Sequence, residues 1–524
     1  MARAAAGGPD HVIIGSGING LVAAAMLGRA GRRVLVLEGA EVAGGCMRSA
    51  PLTLPGFTHD PLAATFVLFT TGLAFAALGP DLARHGLEFC NGPHPTGVLT
   101  PDGQARVLST DRAANVAAFG ADAPGFEAAV NGIGADAPFL FGLLGGPLWT
   151  RGTATTLGKR AWKTGTRSLA AWMGEALTPA RGWLETAFAD PLNRALLAPW
   201  VLHCGLTPES TYSGEMAKVV AFALEAAGAP VAKGGAAAAP AAFQRLIESQ
   251  GGEVRVNARV ARIDTAGGAV TGVTLADGEA IRCKSVLASV APKALYHDLL
   301  DVELPHQRAQ AARFRHGRGD FQCHFALDGE PDWITGGLQD VALLHLSAGL
   351  DAVSRSANEA ERGLLPAVPT ICVGQPHRMD PSRCPEGKAV LWLQIPDAPR
   401  DPQGDAGGDI AVTPGAGWTE ALRESFADRL ENILRRHIRN WDEIRLARAA
   451  ISPADLEAMN PNLVGGDPYG GACSIDQFFL FRPFPDSKNN ETAIKGLLHI
   501  GASTHPGPGL AGGSGFNAAK RLGA

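Results

Sequence analysis

Apolar positions near the start of the chain fall into three groups with different periods. His11 to Ile14 is a short, mostly apolar run, as a strand buried on both faces requires. Glycines then interrupt the chain in Gly15-Ser16-Gly17-Ile18-Asn19-Gly20. An Ala-rich stretch from about Asn19 to Ala30 reads as a helix, with Arg29 in its last turn and Gly31 as its stop. A second apolar run, Arg33 to Leu37, reads as another strand and delivers Glu38 at its C-terminal end.

The same patterning marks elements further on. Alternation from Val254 to Ile263 and from Ala269 to Leu275, separated by Gly267-Gly268, predicts a hairpin. Asp277-Gly278 marks the next turn and Ser285 to Val290 a further buried strand. A helix is predicted from Ala241 to Gln250. Leu422, Phe426, Leu430, Ile433 and Leu434 recur at helical spacing between Trp418 and Trp441, with charges between them. Ala389 to Ile395 is an apolar strand expected to line a cavity, and Pro396 to Gly417 a Pro/Gly/Asp-rich surface loop. A strand ending at Gly501, a glycine-rich loop and a last helix from about Gly512 close the chain. No internal repeat is present.

Composition narrows the class. A chain of 524 residues exceeds one ordinary core, so two large domains are expected. With 46% hydrophobic and 19% charged residues it is globular, and the net charge of −5 gives no basic footprint for nucleic acid. The eight Cys form no C-x-x-C pair, so no zinc or other metal site is indicated, and scattered thiols suit a reducing cytoplasm. No long apolar stretch precedes Val12, so no signal peptide is expected. Leu62 to Leu78 is uncharged for 17 residues, at the lower limit for a membrane span, but its Thr and Gly content and missing basic flank weaken that reading. A buried helix or the wall of an apolar cavity is expected there, with peripheral membrane contact as the alternative.

The first block carries specific chemistry. In a strand–turn–helix unit, Gly15 permits the tight turn, Gly17 lets a pyrophosphate approach the backbone, and Gly20 lets the helix pack on the sheet. The flanking Ser16, Ile18 and Asn19 bring the helix N-terminus, with its unpaired N–H groups, to the phosphates. Glu38 lies 18 residues beyond Gly20, near the distance expected of an acid that accepts from a ribose 2′-OH. A second glycine pair, Gly44-Gly45, is superfluous for NAD and favours FAD.

On these residues the N-terminal block resembles the FAD-binding superfamily of phytoene desaturases, flavin amine oxidases and protoporphyrinogen oxidase. Lys233-Gly234-Gly235 ahead of the second helix, and Gly501-Ala502-Ser503-Thr504-His505-Pro506-Gly507-Pro508-Gly509-Leu510-Ala511-Gly512 near the end, resemble its second and third FAD elements. Ala198-Pro199-Trp200, Gly466-Asp467-Pro468 and Asp476-Gln477 are similar to the phytoene-desaturase-related branch, which includes the pyridine nucleotide-disulphide oxidoreductase domain-containing protein 2 type.

The resemblance implies an α/β (α+β overall) fold: a discontinuous Rossmann-like FAD domain (residues 1–65, 231–300 and 490–524) and a mixed-sheet and helical substrate domain (66–230 and 301–489). It implies non-covalent FAD, a backbone contact from Val260 to adenine, and a terminal helix start that points at the flavin. There a helix N-terminus stabilises the negative charge of reduced flavin. Two departures stand out. Relatives have Gly-Gly-Arg, whereas here Cys46-Met47 intervene before Arg48, and Pro508 replaces a loop glycine.

Desaturation pairs hydride loss to flavin N5 with loss of a proton from the neighbouring atom, so a base or water is required. His505, in the flavin-facing loop, and His59, beside Asp60 where the chain leaves the FAD domain, are the leading candidates; His203, His324 and His345 are others. Three functions stay open: a dehydrogenase or desaturase acting on an apolar substrate, a flavin amine oxidase, and a binding protein in which FAD is structural. Oxygen or a quinone is the expected electron acceptor, since only one complete G-x-G-x-x-G unit, with its strand, helix, second strand and terminal acid, is present, and FAD occupies it. A homodimer and a cytoplasmic location, peripheral to the membrane, complete the expectations.

Overall fold

The computed structural model describes residues 8–524; residues 1–7, part of the stretch on which the signal-peptide expectation rests, lie outside them. Strand β1 (His11–Ile14), helix α1 (Ile18–Arg29) and strand β2 (Val34–Leu37) form as the apolar pattern predicts. Both strands are buried throughout and pair in parallel. They sit in a five-stranded parallel sheet in the order Leu497–Ile500, Ser285–Ser289, β1, β2, Glu253–Arg255. Three distant stretches of sequence therefore build one layer, with α1 and the last helix, Gly513–Arg521, on it. A methyl group at Gly515 would collide with the Asn19 carbonyl, so the two helices meet where neither has a side chain in the way.

Val254 to Ile263 is not one hairpin strand. Glu253–Arg255 is the edge of the parallel sheet, and Val260–Ala266 pairs antiparallel with Ala269–Leu275 in a separate three-stranded sheet. The break is Asn257, at φ 52°, a conformation that Asn tolerates better than most residues. Its N–H donates to the Ala40 carbonyl, and that of Ala258 to the Glu38 carbonyl.

The second layer is a seven-stranded mixed sheet in the order Arg445–Ile451, Gly319–Leu327, Ala389–Ala398, Ile371–Gly374, Val341–Leu346, His94–Leu99, Ala105–Leu108. One face packs under the amphipathic helix Glu420–His437, whose Thr419 caps its N-terminus. The other packs against the helices from Ala180 to Ala227. The expected surface loop after Ala389–Ala398 is pinned: Gly404–Asp405 pairs with Leu364–Leu365, and Asp405 accepts two hydrogen bonds from the nearly buried Arg429.

The uncharged stretch Leu62 to Leu78 does not form one helix. It becomes Val67–Thr70 and the start of Leu73–Arg84. Phe66, Phe69, Ala74, Leu78 and Leu82 enter the core around the five-stranded sheet, while Leu68 and Leu73 face outward. The helical run Arg112–Gly145 is long and apolar enough to cross a membrane. Hydrogen bonds from Asn115 to Glu225 and from Ala189 and Asp190 to Asp122 tie its first half into the protein.

Candidate functional site

Glu38 organises the first glycine turn. Its Oε2 accepts from the Ser16 backbone N–H (2.9 Å) and the Ser16 hydroxyl (2.6 Å), and its Oε1 from the Ala40 N–H (2.9 Å). The Gly44 N–H donates to the Ser16 hydroxyl at 2.8 Å, which draws the second glycine pair onto the first. Gly45, at φ 60°, has no room for a side chain: its Cβ would stand 2.9 Å from Gly17 Cα. A Cβ on Gly17 itself would meet nothing within 4 Å. That open side adjoins the N-terminus of α1, which no side chain caps among the described residues. Unpaired N–H groups, a helix dipole and clear space are what a pyrophosphate needs. The Arg48 Nε donates to the Gly45 carbonyl at 3.0 Å, so despite its shifted position its charge lies beside the glycine pair.

Val260 is buried at the start of its strand, two residues beyond the backbone bond that clasps Glu38. At the far end, the Gly501 N–H donates to Ser514 Oγ (3.2 Å), and Thr504 and Asn490 bond the same hydroxyl. Gly509, Leu510, Ala511 and Gly512 lead into the last helix, again without a side-chain cap among the described residues. Arg482, which sequence reasoning passed over, is buried and braces this loop: its Nε and Nη2 donate to the Ala502 carbonyl at 3.0 and 2.8 Å. These elements fit FAD. Residues 15–20, Glu38 and 44–48 would hold its pyrophosphate and ribose, and residues 501–512 its ring system. Burial raises the Cys46 thiol, and Asn460 Nδ2 donates to its sulfur, which suits a bound but unattached cofactor.

The two leading catalytic candidates are occupied structurally. His505 Nε2 bonds the Gly146 carbonyl at 2.9 Å, and burial pushes the ring down to about 4. His59 Nε2 bonds Thr53 Oγ1 at 2.7 Å and its ring is also pushed down to about 4 by burial, with Arg383 adding to the effect. Its neighbour Asp60 lies in a buried ion pair with Arg383 (2.8 Å), which also holds Asp380 (2.8 Å). These residues stitch the two layers together where the chain crosses between them.

The structure assembles a different polar group. Along the apolar strand Gly319–Leu327, Phe321, Cys323 and Phe325 enter the core beneath helix Glu420–His437, while Asp320, Gln322 and His324 alternate with them onto the other face. A period-two signal for this was present in the sequence. Strand register places Gln394 beside Gln322, Trp392 beside His324, Cys372 beside Gln394 and His345 beside Cys372. Asp320 Oδ2 accepts from Gln322 (3.0 Å) and Gln394 (3.2 Å), and burial pushes its carboxyl up to about 7. The His324 ring meets that of His59 edge-on at 5.4 Å, so this face turns toward the nucleotide-binding layer. His345 Nε2 is 2.9 Å from His203 Nε2, and burial holds both rings neutral.

Comparison with known proteins agrees with this architecture. Residues 167–401 match the family described as flavin containing amine oxidoreductase, and residues 13–86 the NAD(P)-binding Rossmann-like domain. The chain is 27% identical to pyridine nucleotide-disulfide oxidoreductase domain-containing protein 2 of Mus musculus, over 97% of this chain and 92% of that protein. It is 26% identical to the zeta-carotene-forming phytoene desaturase of Myxococcus xanthus, over 95% and 90%. The fold is shared with cyclohexylamine oxidase from Brevibacterium oxydans IH-35A, at TM-score 0.58 and 15% identity over 98% of this chain and 99% of that one. A glycine cradle clasped by Glu38, an uncapped terminal helix and full-length likeness converge: the chain is an FAD-dependent oxidoreductase, similar to members of the flavin amine oxidase superfamily.

Proposed function

We propose that this protein dehydrogenates a C–C bond of a small, mainly apolar molecule and passes the electrons to oxygen or a quinone. Bound FAD supplies the two-electron acceptor. The observation that carries the reading is the sheet face around Asp320, His324 and His345. Its imidazoles are held neutral by burial, and the Asp320 carboxyl is pushed up to about 7 by burial, with the buried Asp397 nearby adding to it. A site built for an ammonium group would present a fixed negative charge. Asp320 instead changes protonation near neutrality, which suits it to take up the proton lost from the neighbouring carbon. The likeness to a phytoene desaturase points the same way. The likeness to amine oxidoreductases makes C–N oxidation the competing reading.

Anaerobic mixing of the holoenzyme with cyclohexylamine, putrescine, cyclohexanone and a conjugated polyene separates the readings by flavin bleaching. Bleaching by the ketone or polyene supports C–C dehydrogenation. Bleaching by the amines alone overturns it in favour of an amine oxidase, and bleaching by none favours a structural flavin.

Such a substrate partitions into lipid, and one surface suits a membrane. Helices Arg151–Thr164 and Thr166–Ala176 bury no residue. Trp149 and Met173 are exposed, and Trp162 is 93% exposed. Between residues 146 and 177 stand Arg151, Lys159, Arg160, Lys163 and Arg167 against the single acid Glu175. Aromatic and basic side chains on exposed amphipathic helices are what an anionic lipid surface binds.

A further inference from the structure

Three buried polar atoms around the His203–His345 pair have no hydrogen-bond partner among the described residues: Trp200 Nε1, Thr96 Oγ1 and His345 Nδ1. Thr96 and His345 lie on adjacent strands, and register puts both on the face that carries Cys372 and Trp392. The Trp200 ring centroid is 5.1 Å from that of His345 and 4.8 Å from that of His203. Native proteins seldom leave buried donors and acceptors unpaired, and such groups call for an explanation, a functional role, an ordered water or an ion among them. Their chemistry is specific. The indole N–H only donates, the hydroxyl does both, and His345 Nδ1 carries a proton whenever its Nε2 accepts from His203. Apolar Val98, Leu343 and Ala64 belong to the same core cluster. Among the described residues no ion pair involves His203 or His345, and burial keeps both imidazoles uncharged.

We infer that Trp200, Thr96 and His345 form a subsite for one uncharged oxygen function, a carbonyl or hydroxyl, carried by an otherwise apolar substrate. The inference rests on the dehydrogenase reading and narrows it: the substrate is an oxygenated apolar molecule rather than a bare hydrocarbon. A carbonyl oxygen would accept from the indole and from His345 Nδ1–H, while a hydroxyl could in addition donate to Thr96. His203 would set the His345 tautomer, which makes it a positioning residue. His203, His345 and Cys372 are also close enough to share a metal ion, but burial, with the Asp320 carboxylate adding to it, holds the thiol protonated, and the two Nε2 atoms stand at hydrogen-bond distance.

The test is binding to the FAD-loaded enzyme, read as perturbation of the flavin absorbance bands. Carvone and limonene form a matched pair that differs by one carbonyl. Carvone should bind about tenfold or more tightly than limonene, and Trp200→Phe and Thr96→Val with His345→Phe should erase that advantage without changing limonene binding. Thr96→Val conserves shape and Trp200→Phe keeps an aromatic ring, so a folding failure of His345→Phe leaves the comparison intact, as does the wild-type ligand pair. Equal or tighter binding of limonene overturns the inference. So does a carvone advantage that survives Trp200→Phe, or stoichiometric Zn²⁺ binding to wild type that is lost in His345→Phe. The readout is binding alone. A holoenzyme that bleaches only with amines therefore overturns the dehydrogenase reading, whereas loss of the carvone preference overturns this one.

Discussion

Ser16 donates twice to one oxygen of Glu38, through its backbone N–H at 2.9 Å and its hydroxyl at 2.6 Å. The acid at the end of β2 is therefore part of the glycine turn before it touches any ribose. Glu38→Ala should weaken FAD binding by about 10- to 100-fold, since hydrogen bonds to a charged group contribute roughly 1.5–3 kcal/mol when a partner is removed. It should also lower the melting temperature of the apoprotein, because Ser16 and Ala40 lose their acceptor. An unchanged apoprotein melting temperature with weakened FAD binding would confine Glu38 to the ribose.

Two glycines of the same turn separate fold from ligand. A methyl at Gly20 collides with the Gly15 carbonyl inside the strand–helix unit, whereas one at Gly17 meets no protein atom within 4 Å. Gly20→Ala should yield little soluble protein. Gly17→Ala should give an apoprotein with a melting temperature close to wild type that fails to retain flavin on purification. A yellow Gly17→Ala protein would mean that the phosphates lie elsewhere.

The contrast shows what the sequence could and could not carry. The nucleotide-binding unit was legible because its constraints are local: the periods of β1, α1 and β2 and the spacing of Gly15, Gly17, Gly20 and Glu38 all lie within 28 residues. The break at Asn257 was not, because alternation continues across it and only backbone bonds to Glu38 and Ala40 decide which sheet each half joins. Arg482 and Asp320 carry no motif; their weight comes from burial and from partners distant in sequence. Position along the chain singles out His505 and His59, but it does not show the contacts that each makes with Gly146 and Thr53, which lie 359 and 6 residues away.

Leu68 and Phe69 are adjacent in the uncharged stretch but face opposite ways, at 46% and 0% exposure. Leu68→Lys should fold and keep FAD, because its head group reaches water. Phe69→Lys should fail to fold, since an unpaired charge in that core costs several kcal/mol. Soluble yield and flavin content check both. Loss of folding in Leu68→Lys would mean that this face is covered.

The exposed helices Arg151–Thr164 and Thr166–Ala176 should bind vesicles of phosphatidylglycerol and phosphatidylcholine better than phosphatidylcholine alone, with salt weakening the difference. Trp162→Ala combined with Lys163→Glu should reduce co-sedimentation several-fold while FAD content stays unchanged. Equal sedimentation of the double variant would move the contact elsewhere.

Asp320 gives a pH signature with a defined sign. Its carboxyl is raised from 3.8 to about 7 in the folded protein by burial. Between those values the native state holds a proton that the unfolded chain releases. Stability from this group is therefore complete below about pH 4, falls by at most about 1.4 kcal/mol per pH unit on the way up, and levels off above pH 7. Asp320→Asn keeps the shape and hydrogen-bonding capacity of the protonated acid and cannot ionise. Across pH 4 to 7 the variant should gain on wild type in unfolding free energy, with the difference constant above that window. If Asp320 also takes the substrate proton, the variant should lose turnover at every pH while retaining FAD and ligand binding. A stability difference that does not vary with pH would show that Asp320 is ionised across the range, and would remove it from the proton-accepting role.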